Sequence, residues 1–204
     1  MTSIALLGGT GNVGRRLLAE ALRRGHTVTV IARKPVADLA EGAGFIQGDI
    51  GADPAALGAS LAGHEVFISS ANFATVTPDQ VLATVRAAKI PRLAVVGGAG
   101  SLEVAPGVRL VDTPEFPAAY KSEALPGAAF LDALREVKDI EWTFLSPAAF
   151  FGPGERTGTF RLGGDAFLTD ANGESRISYE DYAVAMLDEI ESPKHSGQRF
   201  SVLY

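Results

Sequence analysis

Residues 6–17 read LLGGTGNVGRRL, with Gly8, Gly9, Gly11 and Gly14 crowded between an apolar run and a helical pattern. Glycine weakens strands and helices alike, so this cluster marks a turn that something must approach closely. Gly9-Thr10-Gly11-Asn12-Val13-Gly14 fits G-x-G-x-x-G, and Gly8, Gly11 and Gly14 also fit G-x-x-G-x-x-G. In a strand–turn–helix setting the first glycine permits the turn, the middle one admits a pyrophosphate, and the last lets helix pack on strand. The free amides around Asn12 and Val13, at the positive end of the helix dipole, would then face the phosphates. The alternative is that the glycines serve only the turn.

The rest of the chain has the alternation this turn requires. SIALLG (3–8), TVTVIA (27–32), GFIQGD (44–49), EVFISSA (65–71), RLAVVGG (92–98) and EWTFLSP (141–147) read as short buried strands. Across 12–24, Val13, Leu17, Leu18, Ala21 and Leu22 share one helix face, with Arg15, Arg16, Glu20, Arg23 and Arg24 on the solvated side. Asp53-Pro54 and Thr77-Pro78-Asp79-Gln80 are helix starts, the second with capping-box spacing. Residues 178–190 read as a last helix, capped by Ser178, and QRFSVLY as a closing strand. The expected fold is α/β: one doubly wound, mostly parallel sheet, spanning 1–204 as a single nucleotide-binding domain. Two long stretches, 99–119 and 148–176, interrupt the rhythm after the carboxyl ends of strands. Open α/β sheets bind ligands there, so these stretches are expected to form the substrate side.

The end of the second strand bears on cofactor choice. NAD sites place Asp or Glu there to hold the ribose 2′-hydroxyl; this chain has Arg33 and Lys34. A carboxylate about 5 Å from a 2′-phosphate charge would cost about 3 kcal/mol at an effective dielectric near 20, whereas a guanidinium binds it. NADP(H) is therefore preferred, with NAD(H) possible; the alternative is a surface pair in a polar loop. Asp49 and Ile50 would flank the adenine, unless Asp49 merely starts a turn. Ala71 and Asn72 should pass beneath the inner ribose and nicotinamide, unless Asn72 bonds its own backbone.

A net charge of −6 without a basic cluster argues against nucleic acid. The first residues lack a charged leader, and no run reaches the roughly 18 apolar residues of a membrane span. The absence of cysteine excludes thiolate metal sites and cysteine nucleophiles and favours a reducing, cytoplasmic setting. His26, His64 and His195 lack mutual metal-ligand spacing, so no metal is expected, and no G-x-S-x-G supports a serine hydrolase.

LLGGTGNVG, TVIARKP, FIQGDI, RLAVVGGAGSLEV, DIEWTFLSPAAFFGPGERTG and SRISYEDYAVAMLDEIE resemble the atypical branch of the short-chain dehydrogenase/reductase superfamily. Within it the chain is similar to NmrA-like and NADH-flavin-reductase-like proteins, over nearly its whole length. The resemblance implies NADP(H) or NAD(H) as cofactor and reduction of flavins, quinones or similar planar acceptors. It also brings a rival, since some NmrA-like members bind the dinucleotide as a signal and catalyse nothing.

Typical members of the superfamily use Tyr-x-x-x-Lys and a serine after the fifth strand. Here Tyr120 is followed at the fourth position by Ala124, while Lys121 is its immediate neighbour and points elsewhere on a helix; the nearest hydroxyl after that strand is Ser101. Tyr120, Lys121 and Ser101 are thus the catalytic candidates, without the usual relay geometry. Flavin and quinone reduction tolerates that loss, because the proton can come from water and catalysis can rest on stacking and orientation. Phe116, Phe150 and Phe151 with Tyr120 would supply the platform, or pack the loops onto the sheet. Pro147 would back the nicotinamide and turn the chain off the sheet. Residues 152–156 read as a turn or lid, with Arg156 meeting an anionic acceptor or solvent, and Asp112 and Glu115 as solvated. The expectation is an NAD(P)H-dependent reductase acting on a small-molecule acceptor, as a monomer or homodimer. A cofactor-sensing regulator is the first alternative and a sugar-nucleotide epimerase or dehydratase the second.

Overall fold

The computed structural model describes all residues, Met1–Tyr204. Its main sheet has eight strands: β1 (Ser3–Leu7), β2 (Thr27–Ala32), β3 (Gly44–Gln47), β4 (Val66–Ser69), β5 (Arg92–Val96), β8 (Glu141–Pro147), β10 (Arg161–Gly163) and β12 (Gln198–Leu203). Between them in sequence lie β6 (Glu103–Ala105) and β7 (Val108–Arg109), a small antiparallel ribbon, and β9 (Phe150–Gly152) paired in parallel with β11 (Arg176–Ser178). The spatial order is β10-β12-β8-β5-β4-β1-β2-β3, parallel throughout except for β10 against β12. The doubly wound α/β expectation is borne out.

Strand residues alternate between two cores, as a period of two demands. Ile4 and Leu6 pack with α1 (Asn12–Arg23) and α5 (Tyr179–Glu191); Ala5 and Leu7 face the other way, towards α2 (Pro54–Ser60), α3 (Pro78–Ala88) and α4 (Ala118–Arg135). The helix starts follow the local sequence rules. Asp53 Oδ1 accepts from Ala56 N at 2.9 Å. Thr77 and Gln80 close a reciprocal capping box, and Ser178 Oγ accepts from Asp181 N at 2.9 Å. No helix is long and apolar enough to cross a membrane.

Three expectations are corrected. The stretch 148–176 is not one irregular loop: it contains β9 and β10, and β10 extends the main sheet. Likewise 99–119 holds two short 3-10 turns around the β6–β7 ribbon. The polar side of α1 is not simply solvated. Glu20 is buried and bound by Arg23, Arg24 and Arg156, while Arg24 reaches Asp188 and Glu191, and Arg16 reaches Glu180. α5 brings carboxylates alongside α1, and the cations turn inward to meet them.

Candidate functional site

The glycine turn sits between the end of β1 and the start of α1, with Gly11 N donating to Gly8 O at 3.0 Å. Gly8 has φ +79°, and a Cβ there would lie 2.3 Å from Ser70 O, just beyond β4. At Gly14 a Cβ would fall 2.1 Å from Gly8 O, so helix and turn touch through bare backbone. Gly11 is different. Its φ is −74°, it is exposed, and a Cβ would meet only Gly8 O at 3.4 Å. Nothing inside the protein forbids a side chain at 11; glycine there keeps the uncapped first turn of α1 open to an outside group. The residues present therefore fit a pyrophosphate.

Next to this turn, Thr10, Ala32, Arg33 and Lys34 line one shallow cavity. Arg33 and Lys34 are exposed and neither forms an ion pair with a carboxylate. At the end of β3, Asp49 Oδ1 accepts from Gly51 N at 2.9 Å, the turn reading, and the Ile50 side chain is buried in the core. Only main chain and the second Asp49 oxygen remain there to meet a base. Asn72 likewise follows its bland alternative, its Oδ1 accepting from Ala74 N at 2.9 Å. Ala71 stays half-buried, with Ser70 and Ala71 N against Gly8.

Farther along the same carboxyl edge, over β4, β5 and β8, lies a cavity of about 550 Å³. Both interrupting stretches wall it, and it gathers Ser101, Phe116, Tyr120, Phe150 and Phe151 as the sequence reading expected. Phe150 is 74% exposed and Tyr120 66%. Phe151 is half-buried, its ring 4.7 Å from those of both Tyr179 and Tyr182, so α5 fixes it in place. Ser101, in the 3-10 turn after β5, is buried, and its Oγ has no hydrogen-bond partner. Pro147 is buried at the end of β8, in register with Val202, and the chain leaves the sheet after it.

Lys121 stands apart from the other two catalytic candidates. Neighbours on a helix lie about 100° apart, and Lys121 is not among the residues facing the cavity. Ala124 holds the place of the family's lysine. Its methyl lies against the 3-10 turn, where a Cβ on Gly100 would come within 2.9 Å of it. Arg156 is corrected. It forms a two-pronged ion pair with buried Glu20 at 2.9 and 3.0 Å rather than meeting an acceptor or solvent alone. Burial would raise the Glu20 pKa, yet the bonds from Arg156, Arg23 and Arg24 hold it far below the ordinary glutamate value. Gly158 N and Thr157 Oγ1 bond Asp181, and Gly154 N bonds Glu180, so the 153–158 segment is strapped down, not a free lid.

Glu123 is a residue the sequence reading missed. From α4 its two oxygens accept from Phe73 N at 2.8 Å and Ala74 N at 3.1 Å, clamping the loop after β4. Phe73 then packs on Gly127 and stacks with Phe144 at 6.1 Å. No local pattern announces a carboxylate gripping amides some fifty residues away. The histidines are structural: His26 bonds Thr2 N and Glu191, His64 bonds Thr29, and His195 bonds Glu189 while stacking on Phe200.

A family described as NAD(P)H-binding matches residues 8–193. The chain belongs to it. The protein YwnB of Bacillus subtilis (strain 168) is 39% identical, over 98% of this chain and 97% of its own length. A Burkholderia pseudomallei structure provisionally described as an exported protein is 44% identical, with a TM-score of 0.91 and full coverage of both chains. A Streptococcus pneumoniae structure provisionally described as an NADH-flavin reductase is 34% identical over 100% of this chain and 99% of that one, with a TM-score of 0.85. Membership of the NAD(P)H-binding family agrees with the sequence resemblance to NADH-flavin-reductase-like proteins, and it supports a reductase-type role.

Proposed function

We propose that the protein is an NAD(P)H-dependent reductase that passes hydride to a planar acceptor such as a flavin or quinone. One observation carries this: a bare glycine turn beside unpaired cations and an aromatic cavity without a tyrosine–lysine relay lie side by side along the carboxyl edge. In this reading the first-turn amides of α1 hold the pyrophosphate and Arg33 with Lys34 hold a 2′-phosphate, which favours NADP(H) over NAD(H). Asp49 and the Ile50 main chain border the adenine; Ala71, Asn72 and Pro147 border the inner ribose and the nicotinamide. When bound, the reduced nicotinamide supplies the hydride. Phe116, Tyr120, Phe150 and Phe151 orient an electron-poor ring by stacking. Tyr120 is exposed enough for water to serve as proton source, and Ser101 Oγ is the buried hydroxyl left over for the acceptor.

The provisional flavin-reductase description of the Streptococcus relative agrees with this reading. Steady-state oxidation of NADPH against a panel of flavins and quinones tests it: turnover well above the protein-free rate is expected, and background oxidation with every acceptor contradicts it. The missing relay also suits a cofactor-sensing regulator. That alternative requires tight NADP(H) binding, no turnover, and a protein partner whose capture depends on cofactor redox state. An epimerase or dehydratase is disfavoured, because Ala124 stands where the Tyr-x-x-x-Lys pattern needs its lysine.

A further inference from the structure

Resting on the reductase reading, we infer that the acceptor cavity selects uncharged planar rings and rejects phosphorylated or carboxylated ones. No lysine, arginine or histidine lines the cavity, but two carboxylates do, Glu115 and Glu123. Glu115 is exposed on the rim, in the stretch just before Phe116. Glu123 spends hydrogen bonds on two neutral amides, which hold its charge in place without cancelling it. Lys121, beside Tyr120, lies off the cavity wall, and two arginines nearby are already committed. Arg109 pairs with Asp132 at 2.6 Å. Arg199 reaches the Ser101 carbonyl from behind, and is buried against Asp165. The remaining wall is apolar and aromatic, suited to a ring system. An anionic tail emerging at the rim would meet Glu115 in a protein that is already at −6. The contrast with the nucleotide end is complete: there two cations lack carboxylate partners, here two carboxylates lack cationic ones.

Riboflavin and flavin mononucleotide form a matched pair of probes, since they share one ring and differ by a terminal phosphate. Quenching of flavin fluorescence on the NADP⁺-saturated protein reads affinity without turnover. Riboflavin is expected to bind about tenfold more tightly at low salt, with the gap shrinking at high salt as screening removes the repulsion. Glu115→Lys should narrow the gap severalfold. Equal affinities, a gap that neither salt nor Glu115→Lys alters, or no quenching by either flavin would overturn the inference. If the ranking appears but NADPH is not oxidised, the selectivity stands and the reductase reading fails.

Discussion

The two ends of the carboxyl edge are built on opposite principles. At the nucleotide end the decisive groups are backbone amides and the space left by missing side chains. Gly8 and Gly14 are required by the protein's own packing, whereas Gly11 is not. At the acceptor end the decisive groups are side chains carried by separate elements: a 3-10 turn, the start of α4 and β9. A diphosphate has fixed shape and charge, so a short local motif suffices to hold it. The proposed acceptor surface is assembled by tertiary contacts, and side chains there can change without disturbing the turn.

Gly14→Val should have the largest effect and would sharpen the distinction between packing glycines and ligand glycines. A side chain aimed at a backbone oxygen 2.1 Å away cannot be relieved by rotamer change. A loss above about 4 kcal/mol, seen as absent cooperative unfolding by circular dichroism, is expected. A well-folded variant would show that the turn is softer than its geometry implies.

Glu20→Gln comes next, because Glu20 joins α1 to the strapped 153–158 segment through Arg156. Removing one partner of a buried ion cluster costs about 3 kcal/mol, so the melting temperature should fall by about 6–12 °C. The folded-state pKa of Glu20 is depressed, so its contribution is complete above the ordinary value of 4.5 and is lost progressively as pH falls below it. The difference in stability between the native protein and Glu20→Gln should therefore narrow in strong acid. A difference that widens there would reverse the sign of this assignment.

At the nucleotide end, Arg33→Asp should shift the NADPH-to-NADH ratio of kcat/KM towards NADH by at least about tenfold, from the charge reversal beside a 2′-phosphate. An unaltered ratio would remove the 33–34 pair as the discriminator. Phe150→Ala should act only on the other end: it removes a ring that is 74% exposed, so stability changes little. The acceptor KM is expected to rise about fivefold while NADPH affinity, measured by calorimetry, stays within about twofold. A matching loss of cofactor affinity would mean the two ends are not separable.

What the sequence disclosed follows the same division. The glycine turn, the Asp53, Thr77 and Ser178 caps and the alternating strand cores obey rules within a few residues, and all of them stand in the structure. Phe116, Tyr120, Phe150 and Phe151 were legible because they lie in or next to the two stretches that break the strand–helix rhythm, whereas Phe73 and Phe167, which also line the cavity, were not. Glu123 on the Phe73 amide, Arg156 on Glu20 and the three-residue β10 against β12 were not. Each depends on residues tens to more than a hundred positions apart, where local periodicity says nothing. Local spacing also made Glu20 look solvated, since the approach of α5 and of the 153–158 segment is invisible from α1 alone.

The central claim is that bare amides at the start of α1 grip an outside diphosphate through the opening at Gly11. Titration calorimetry with NADPH on the native protein and on Gly11→Val tests it directly, with thermal melts of both as the control for folding. Clear binding heat from the native protein, and at least a hundredfold weaker binding by a variant whose melting temperature is nearly unchanged, is the expected result. No heat with either pyridine nucleotide, or equal binding by Gly11→Val, would contradict it.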